Sequence, residues 1–336
     1  MTPSAIVKHL DQYVVGQDDA KKILAVAVYT HFRKAARSLS QSIEIAKSNI
    51  LLIGSTGTGK TLLCETLSRA LAVPFVTADA ASLAQTEYVN NEIEAILQRL
   101  LDKANGDVAR AQRGIVFIDE VDKLKAVSGQ ARAASGESVQ HALLKIMEGS
   151  QVKLRDGQYI DTTQILFICG GAFVGLDEIL KDSKQLGYIS ISPDDNQRVL
   201  ASLNTRIKPT DLQAFGLIPE FAGRLPIIAR LSELSREMMV RIMTEPKNSI
   251  YHQFREILKA DGVELVIEPE VFNQISDLAM EYKAGARSLR GIFERLMTDP
   301  LYVIPDNPKI LKVVIKSLFE DAKYYAEGAP AVAPRP

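Results

Sequence analysis

The sequence predicts an α/β fold built on a parallel sheet, followed by a smaller and mainly helical C-terminal domain. Over about the first 230 residues, short apolar runs of strand length alternate with segments of helical periodicity, which is the pattern of parallel strands joined by crossover helices. The pattern changes near LSELS at 231–235, where Ser232 or Ser235 could cap a new helix. A chain of 336 residues is long enough for two domains.

The elements of the first domain follow from local patterns along the chain. The run NILLI at 49–53 predicts a buried strand that enters a Gly-rich turn, and a helix begins at Lys60. VPFVTAD at 73–79 predicts the next strand, and NEIEAILQRLLDKA at 91–104 predicts an amphipathic helix. Two further apolar runs predict buried strands, namely GIVFID at 114–119 and TQILFICG at 163–170.

The second domain is expected to contain one long helix to about Lys259 and one strand, VELVIE at 263–268. Further helices open at Pro269 and after the GAR sequence at 285–287. The end of the chain is rich in Pro and Ala, which is typical of disorder. We therefore expect a large α/β domain over residues 1–231, a small C-terminal domain over residues 232–320 and a disordered tail over residues 321–336.

Composition and charge restrict the class of protein. The chain carries 40 basic and 41 acidic residues and a formal net charge of −1, so a basic surface for nucleic acid is not expected. No uncharged apolar run approaches the roughly 18 to 20 residues that cross a bilayer, and the first residues lack the apolar region of a signal peptide. Cys64 and Cys169 are too few for a disulfide framework. The sequence thus predicts a cytoplasmic protein that binds neither nucleic acid nor membrane.

The strongest chemical signal is GSTGTGKT at 54–61, which has P-loop spacing and lies between a predicted strand and a predicted helix. Its glycines let the backbone curl so that N–H groups and the helix N-terminus face phosphate oxygens. Lys60 supplies a point charge to the β- and γ-phosphates, and the Thr61 hydroxyl suits a Mg²⁺ ligand. The predicted nucleotide-binding residues are Gly54, Ser55, Thr56, Gly57, Thr58, Gly59, Lys60, Thr61 and Leu62.

Two carboxylates follow a buried strand about 60 residues later in the chain. Asp119 can orient Mg²⁺ or its water ligands, and Glu120 can polarise the water that attacks the γ-phosphate. Taken alone, such a pair is usually a solvated strand end, but beside a P-loop it predicts an ATPase site in which Glu120 and Lys60 are catalytic. The chain has no NKxD sequence of the kind that reads guanine, so adenine is the better base.

The sequence resembles the ClpX family of AAA+ unfoldases over nearly its whole length, from about His9 to about Ile315. The resemblance implies an AAA+ P-loop ATPase domain, ATP and Mg²⁺ as cofactors, protein substrates and a homo-oligomeric ring, a hexamer in the family. Long matching stretches carry it, namely DQYVVGQDDAKK at 11–22, KSNILLIGSTGTGKTLL at 47–63, AQRGIVFIDEVDK at 111–123, SGESVQHALLKIMEG at 135–149, ILFICGGAF at 165–173, FGLIPEFAGRLP at 215–226 and GARSLR at 285–290.

The resemblance also assigns residues whose roles composition leaves open. Residues 13–17, which include Val14 and Val15, would form the adenine side of the nucleotide pocket. Arg224 in PEFAGRLP matches the arginine finger that reaches the nucleotide of the neighbouring subunit in a ring. Arg287 in GAR matches the sensor-2 arginine, which contacts the phosphates of its own subunit. Without the resemblance, a surface ion pair would be the better interpretation of either arginine.

The first pore loop departs from the family pattern. Where ClpX proteins have Gly-Tyr-Val-Gly, this chain has Glu87, Tyr88, Val89 and Asn90. The Tyr-Val pair that grips polypeptide in the family is kept, but both flanking glycines are replaced, and Glu87 would repeat a negative charge around a ring. We therefore expect an altered or selective grip. The alternative is that Tyr88 only packs at the start of a helix.

Further departures concern substrates and partners. The long basic insertion before TQILFICG is reduced to QVKLRDGQYIDT, and the second pore region, KAVSGQARAASG at 125–136, is slightly short. These changes weaken the expectation of the family's usual preference for tagged substrates. The two cysteines of the chain cannot rebuild the four-cysteine zinc domain that the family uses for adaptors.

The family docks on its ClpP peptidase through an aliphatic-Gly-Phe tripeptide. Here Leu186, Gly187 and Tyr188 keep the aliphatic-Gly-aromatic order, but the Tyr hydroxyl would enter a pocket shaped for Phe. An unsatisfied buried hydroxyl costs about 1–3 kcal/mol, and docking through a ring multiplies such losses. We expect docking on a standard ClpP to be weak or absent. It is equally open that these three residues are only a loop turn.

The sequence therefore predicts an ATP-dependent unfoldase or remodelling ATPase that resembles ClpX. One alternative is a regulatory or scaffolding module that binds ATP and a protein partner without translocation, and the intact set of catalytic residues favours the enzyme. A nucleic-acid motor would share the nucleotide chemistry, but the chain lacks the basic and aromatic clusters suited to tracking a strand.

Overall fold

The computed structural model describes residues 1–37, 47, 49–86, 88–125, 131–155, 157–185, 207–326 and 329–331. These residues form two compact units. The first unit comprises Met1–Val7, Asp18–Ser55 and Lys60–Leu231, and the second comprises Lys8–Gln17, Thr56–Gly59 and the described part of Ser232–Pro336. The tip of the Gly-rich loop, Thr56–Gly59, therefore belongs to the second unit, whereas the residues on either side of it belong to the first.

The first unit is built on a parallel sheet, as the sequence predicts. Its strands are β1 (Ile50–Ile53), β2 (Phe75–Asp79), β3 (Ile115–Asp119), β6 (Leu166–Gly171) and β7 (Ile227–Arg230). They lie in the order β2-β3-β6-β1-β7, and neighbouring strands are parallel. The central strands are buried on both faces, which their nearly continuous apolar sequences require. A separate antiparallel hairpin joins β4 (Gln151–Lys153) to β5 (Tyr159–Asp161).

Helices pack against this sheet, with α2 on β7, α5 on β2 and α3 on β3. In chain order the helices up to β7 are α1 (Pro3–Leu10), α2 (Asp18–Arg37), α3 (Lys60–Leu71), α4 (Ala80–Leu83), α5 (Val89–Lys103), α6 (Val108–Ala111), α7 (Ala131–Glu148), α8 (Leu176–Gln185), α9 (Pro209–Phe215) and α10 (Pro219–Gly223). A short 3-10 turn, Val121–Leu124, follows β3. Of the helices that the structure describes, none combines the length and the hydropathy of a membrane span.

The strand register brings the functional sequence motifs together at the carboxyl-terminal ends of the parallel strands. Asp79 lies opposite Asp119 across β2 and β3, and Ile53 lies opposite Gly171 across β1 and β6. The backbone N–H of Gly54 then donates to the carbonyl oxygen of Gly171 at 3.1 Å. Because the strands are parallel, the Gly-rich loop after β1 and the carboxylates after β3 follow carboxyl ends on the same edge, where ligands bind in open α/β sheets.

The second unit combines helices with a small sheet. Its helices are α11 (Arg236–Thr244), α12 (Ile250–Ala260), α13 (Pro269–Glu281) and α14 (Arg287–Val303). Its strands are β8 (Glu264–Ile267), β9 (Ile310–Ile315), β10 (Lys323–Ala326) and β11 (Ala329–Ala331), in the order β11-β10-β9-β8. The rings of Phe254 and Phe293 stack at 5.4 Å between centroids inside its core.

Two expectations for the second unit are wrong. The single long helix expected up to Lys259 is two helices, because Pro246 has no N–H to donate and the Ser249 side chain caps a new start, accepting from the N–H of His252 at 3.2 Å. The tail expected to be disordered contains β10, which pairs with β9 and buries Tyr324 in the core. Among these strands only β8 was predicted, although ILKVVI of β9 is an apolar, β-branched run; β10 and β11 give weaker local signals.

A partly buried lysine anchors the chain just before β1. Lys47 donates from Nζ to the carbonyl oxygens of Thr162 at 2.6 Å and Ile146 at 3.5 Å, and its ammonium lies 4.6 Å from the ring centroid of Phe167. Burial lowers the pKa of Lys47 from 10.5 to about 7, although the nearby charge of Asp161 opposes this shift. The folded chain therefore gives up this proton more readily than the unfolded chain does.

Stability should accordingly depend on pH through Lys47. Between pH 7 and pH 10.5 the unfolded state binds more protons at this site, so the free energy of unfolding should rise with pH in that window, by at most about 1.4 kcal/mol per pH unit. Lys47→Met should flatten the rise, and Lys145→Met, at an exposed position on α7, should leave it unchanged. Denaturant unfolding between pH 7 and pH 9.5 measures both, and parallel curves for the parent and Lys47→Met would contradict the assignment.

Candidate functional site

The P-loop residues of the first unit surround the start of α3. Lys60 is the first residue of this helix, and its side chain is only 8% exposed. Its Nζ donates to the carbonyl oxygens of Gly54 at 2.6 Å and Ser55 at 3.2 Å. The ammonium thus lies inside the loop, beside the helix N-terminus whose N–H groups favour anions. Thr61 follows in the first turn, and Leu62 is partly exposed. The role of Lys60 as a phosphate-binding cation stays a prediction, and these contacts show that its ammonium is held by the loop itself.

The tip of the same loop packs within the second unit against the chain that precedes α14. Gly57 has a φ of +82°, and an added Cβ there would meet the carbonyl oxygen of Ala284 at 2.6 Å. The N–H of Ala286 donates to the carbonyl oxygen of Gly57 at 3.3 Å. Because the two backbones touch, only glycine fits at this position. Arg287 comes directly after this contact and is exposed, so the predicted sensor-2 arginine starts its helix next to the loop tip.

The two predicted catalytic carboxylates lie at the end of β3. Asp119 is partly buried, and its Oδ1 accepts from the N–H of Glu120 at 2.9 Å. Glu120 is exposed and has a φ of +59°, which is rare for a residue with a side chain. Such strain is retained mainly at functional positions. The turn from β3 into Val121–Leu124 therefore leaves Glu120 exposed to solvent, and its role in water activation stays a prediction.

Thr61 and Asp119 line one cavity of about 420 Å³ in the first unit. A hydroxyl and a carboxylate are the hard oxygen donors that Mg²⁺ prefers, and Mg²⁺ usually keeps several water ligands, for which a cavity of this size has room. The residues present therefore fit the metal that the P-loop implies. Besides these two, the cavity is lined by Thr77, Ala78, Asp79, Ser82, Leu83, Glu92, Ile96, Arg99 and Phe117.

The segment assigned to the adenine side is held in place by a buried glutamine. Within the second unit, Gln17 donates from Nε2 to the carbonyl oxygen of Ser232 at 2.9 Å and accepts from the N–H of Ser232 at 2.7 Å. Val14 and Val15 are buried, and a side chain at Gly16 would collide with Met238 at 2.6 Å. These contacts fix the backbone of residues 14–17, and their role toward adenine stays a prediction.

The predicted finger, Arg224, has a carboxylate partner within its own chain. It is half-exposed and binds the carboxylate of Glu148, with Nη2 at 2.6 Å and Nε at 2.8 Å. The Asn49 side chain donates to the carbonyl oxygens of Met147 at 3.3 Å and Arg224 at 3.2 Å. Arg224 is not among the residues that line the cavity of its own chain. Asn49 and Glu148 gave no functional signal in the sequence, although both lie inside stretches that carry the family resemblance.

The predicted pore residues occupy the start of α5. Tyr88 is the residue before the helix, its side chain is 67% exposed, and it makes no capping hydrogen bond. Val89 begins the helix and packs partly against the core. The remaining sequence predictions on Glu87, on residues 126–130 of the second pore region and on Leu186, Gly187 and Tyr188 lie outside the described residues. QVKLRDGQYIDT forms the β4–β5 hairpin and the residues that adjoin it.

Comparisons with known proteins cover nearly the whole chain. The family model of the AAA domain (Cdc48 subfamily) matches residues 45–228, and that of the C-terminal, D2-small domain of ClpB protein matches residues 234–310. The chain is 43% identical to the ATP-dependent Clp protease ATP-binding subunit ClpX of Treponema denticola over 321 residues, which is 90% of this chain and 77% of the relative. For ClpX 3 of Methylococcus capsulatus the identity is 43% over 350 residues, 96% of this chain and 80% of the relative. For ClpX of Bacteroides thetaiotaomicron the identity is 44% over 323 residues, which is 91% of this chain and 78% of the relative.

Proposed function

Because the chain belongs to the ClpX family of AAA+ ATPases, we propose that it hydrolyses ATP in a ring of identical subunits, a hexamer, to unfold proteins by pulling them through a central pore. The observation that carries this proposal is the joint position of Lys60, Thr61 and Asp119 at one edge of the sheet. Lys60 lies inside the P-loop, and Thr61 and Asp119 line one cavity. This set can hold a nucleoside triphosphate and a divalent cation together.

Each residue of this set has a separate task in hydrolysis. The loop N–H groups and Lys60 bind the phosphates, and the Thr61 hydroxyl and Asp119 carboxylate hold Mg²⁺. Bound Mg²⁺ neutralises charge that develops on the phosphate oxygens. Glu120 orients the attacking water and accepts its proton, which its exposed position beyond Asp119 allows. Arg287, which matches the family's sensor-2 arginine, contacts the phosphates of its own subunit.

Arg224 supports the ring. An arginine that stabilises the transferring phosphoryl group must reach it, and in its own chain this side chain instead binds the carboxylate of Glu148. Its partial exposure leaves it accessible to a neighbouring subunit. A closed ring provides that neighbour at every site, because each subunit presents the same two surfaces to its neighbours. Glu148 would then hold the guanidinium in an extended orientation.

Tyr88 supports translocation of polypeptide. A large aromatic side chain that is 67% exposed at a helix start, with no capping hydrogen bond, adds little to the stability of the fold. Aromatic rings provide a large contact area for passing side chains. We propose that six copies of Tyr88 and Val89 line the pore and transmit force to the substrate.

Tyr88→Ala should separate ATP hydrolysis from unfolding. The ATPase rate should stay near that of the parent, because Tyr88 belongs neither to the P-loop at 54–61 nor to the Asp119–Glu120 pair. Unfolding of a stable fluorescent protein fused to a client peptide should slow by about tenfold or more, since the loss of about 1.4 kcal/mol of aromatic contact has that effect on a rate. Tyr88→Phe keeps the ring and should retain most activity.

Tyr302→Ala serves as the matched control, because Tyr302 is an exposed tyrosine of the second unit. It should change neither ATP hydrolysis nor unfolding. Equal unfolding rates for Tyr88→Ala and the parent would instead favour a scaffold that binds ATP and a partner without translocation.

We further propose that the protein remodels clients without degrading them through a standard ClpP. The support is the Tyr hydroxyl in the tripeptide of Leu186, Gly187 and Tyr188, where the family has Phe. The general experiment is capture of clients on Glu120→Gln rings, which should hold ATP and substrate together, followed by release when ATP is removed. Captured clients that the parent degrades with ClpP would contradict this part of the proposal.

A further inference from the structure

A completely buried glutamine on α7 links the two halves of the hydrolytic machinery. Gln140 has no exposed surface. Its side-chain Nε2 donates to the carbonyl oxygen of Leu124 at 2.8 Å, and its Oε1 accepts from the backbone N–H of Ile218 at 2.9 Å. A single amide thus satisfies one buried acceptor and one buried donor that come from distant parts of the chain.

The two partners of Gln140 each end next to a predicted catalytic residue. Leu124 closes the four-residue 3-10 turn that begins immediately after Glu120. Ile218 caps α10, the five-residue helix that ends directly before Arg224. Both connecting elements are short and hydrogen-bonded, so a displacement at either partner moves the catalytic residue beyond it. Gln140 therefore lies between the residue that activates water and the residue that completes a neighbouring site.

Further contacts show that α7 as a whole bridges these elements. A Cβ added at Gly136, one turn before Gln140, would come within 2.7 Å of the Leu124 carbonyl oxygen, so the helix backbone rests directly on the turn. At the other end of α7, Glu148 binds the Arg224 guanidinium at 2.6 Å. The helix thus contacts the Glu120 turn near its middle and the Arg224 element at two places.

We propose that Gln140 is a positioning residue that couples Glu120 of one nucleotide site to Arg224, which acts at the next site around the ring. The inference rests on the proposed function. An apolar side chain of similar size would keep the volume but leave the Leu124 carbonyl and the Ile218 N–H buried without partners, so both elements would shift. Nucleotide binding does not depend on this amide, because the Lys60 contacts are made within the P-loop.

The test uses rings assembled from parent and variant subunits in varied ratios. Gln140→Met should lower kcat for ATP by tenfold or more and change KM by less than twofold. A Glu120→Gln subunit inactivates only its own nucleotide site, and an Arg224→Ala subunit inactivates only the site of its neighbour. When either variant is mixed with an equal amount of the parent, about half of the nucleotide sites should therefore stay active. A Gln140→Met subunit should damage both sites and leave about one quarter active, giving a mixing curve equal to the product of the two control curves.

The outcomes separate this inference from the proposed function. A Gln140→Met curve that coincides with either control curve, or a normal kcat in the pure variant, overturns the coupling. Normal hydrolysis by both Glu120→Gln and Arg224→Ala rings overturns the proposed function itself. His141→Gln, on the exposed side of α7, should behave as the parent does.

Gln140→Glu tests the same link if the Met variant does not fold. A protonated carboxyl can donate to the Leu124 carbonyl and accept from the Ile218 N–H, as the amide does, whereas the carboxylate cannot donate. Burial favours the neutral form, so the kcat of this variant relative to the parent should rise as pH falls from about 8 to about 6. If the kcat of Gln140→Glu relative to the parent is low at every pH in this range, the inference is overturned.

Discussion

Glu120→Gln should give a protein that binds ATP normally but hydrolyses it about 10² to 10⁴ times more slowly, which is the range for loss of a positioned general base. The substitution keeps the size of the side chain and removes its ability to accept a proton. Asp119 and Thr61 remain to hold Mg²⁺, and Lys60 remains within the P-loop. Only the step in which water is activated should be affected.

Lys60→Ala provides the contrasting variant, because it removes the cation held by the carbonyl oxygens of Gly54 and Ser55. It should abolish nucleotide binding, whereas Glu120→Gln should retain it. Titration with a fluorescent ATP analogue and steady-state phosphate release distinguish the two variants. Hydrolysis at the parent rate by Glu120→Gln would show that another group activates the water.

Arg224→Ala should also bind ATP but lose hydrolysis, by about 10³ to 10⁵, which is the usual contribution of an arginine finger. The guanidinium lies with Glu148, outside the cavity formed by Thr61 and Asp119 of its own chain. Its removal should therefore leave nucleotide affinity unchanged. Arg224→Lys keeps the charge but loses the planar fork that contacts two oxygens at once, so it should recover only a small part of the rate.

Mixing Arg224→Ala with Lys60→Ala subunits tests whether the finger acts between subunits. In a ring mixed in equal amounts, about one quarter of the interfaces place an intact P-loop beside an intact finger. Rings made of either variant alone contain no such interface. Hydrolysis should therefore reappear when two nearly inactive proteins are combined. Full ATPase activity in a monomer, or no recovery in rings shown to be mixed, would contradict action in trans.

Local sequence was sufficient for the elements that carry phosphate chemistry. The strand, Gly-rich loop and helix around Lys60 follow each other within a few residues, and both carboxylates come directly after the apolar run of β3. Parallel strands that are buried on both faces need nearly continuous apolar runs, so β1, β3 and β6 could be predicted from hydropathy. The strand β2, whose alternate residues are buried, was also predicted from its apolar run. The remaining strand, β7, is short and lies on the sheet edge.

Local patterns failed where distant contacts supply the stability. The tail forms β10 because Tyr324 is buried in the core of the second unit and its backbone pairs with β9. No periodicity in the Pro/Ala-rich end reveals this partner. The break between α11 and α12 was visible as Pro246, but the helical apolar spacing on both sides gave the stronger signal.

The nucleotide-binding loop, the order of Asp119 and Glu120, and the α/β class could all be predicted from local sequence, because each depends on neighbouring residues. The links from Gln140 to Leu124 and Ile218, and from Glu148 to Arg224, depend instead on long-range packing. These partners are 16, 78 and 76 positions apart. A buried polar group requires a partner but leaves no mark in local hydropathy that says which one, since folding selects it by packing helix α7 against both elements at once.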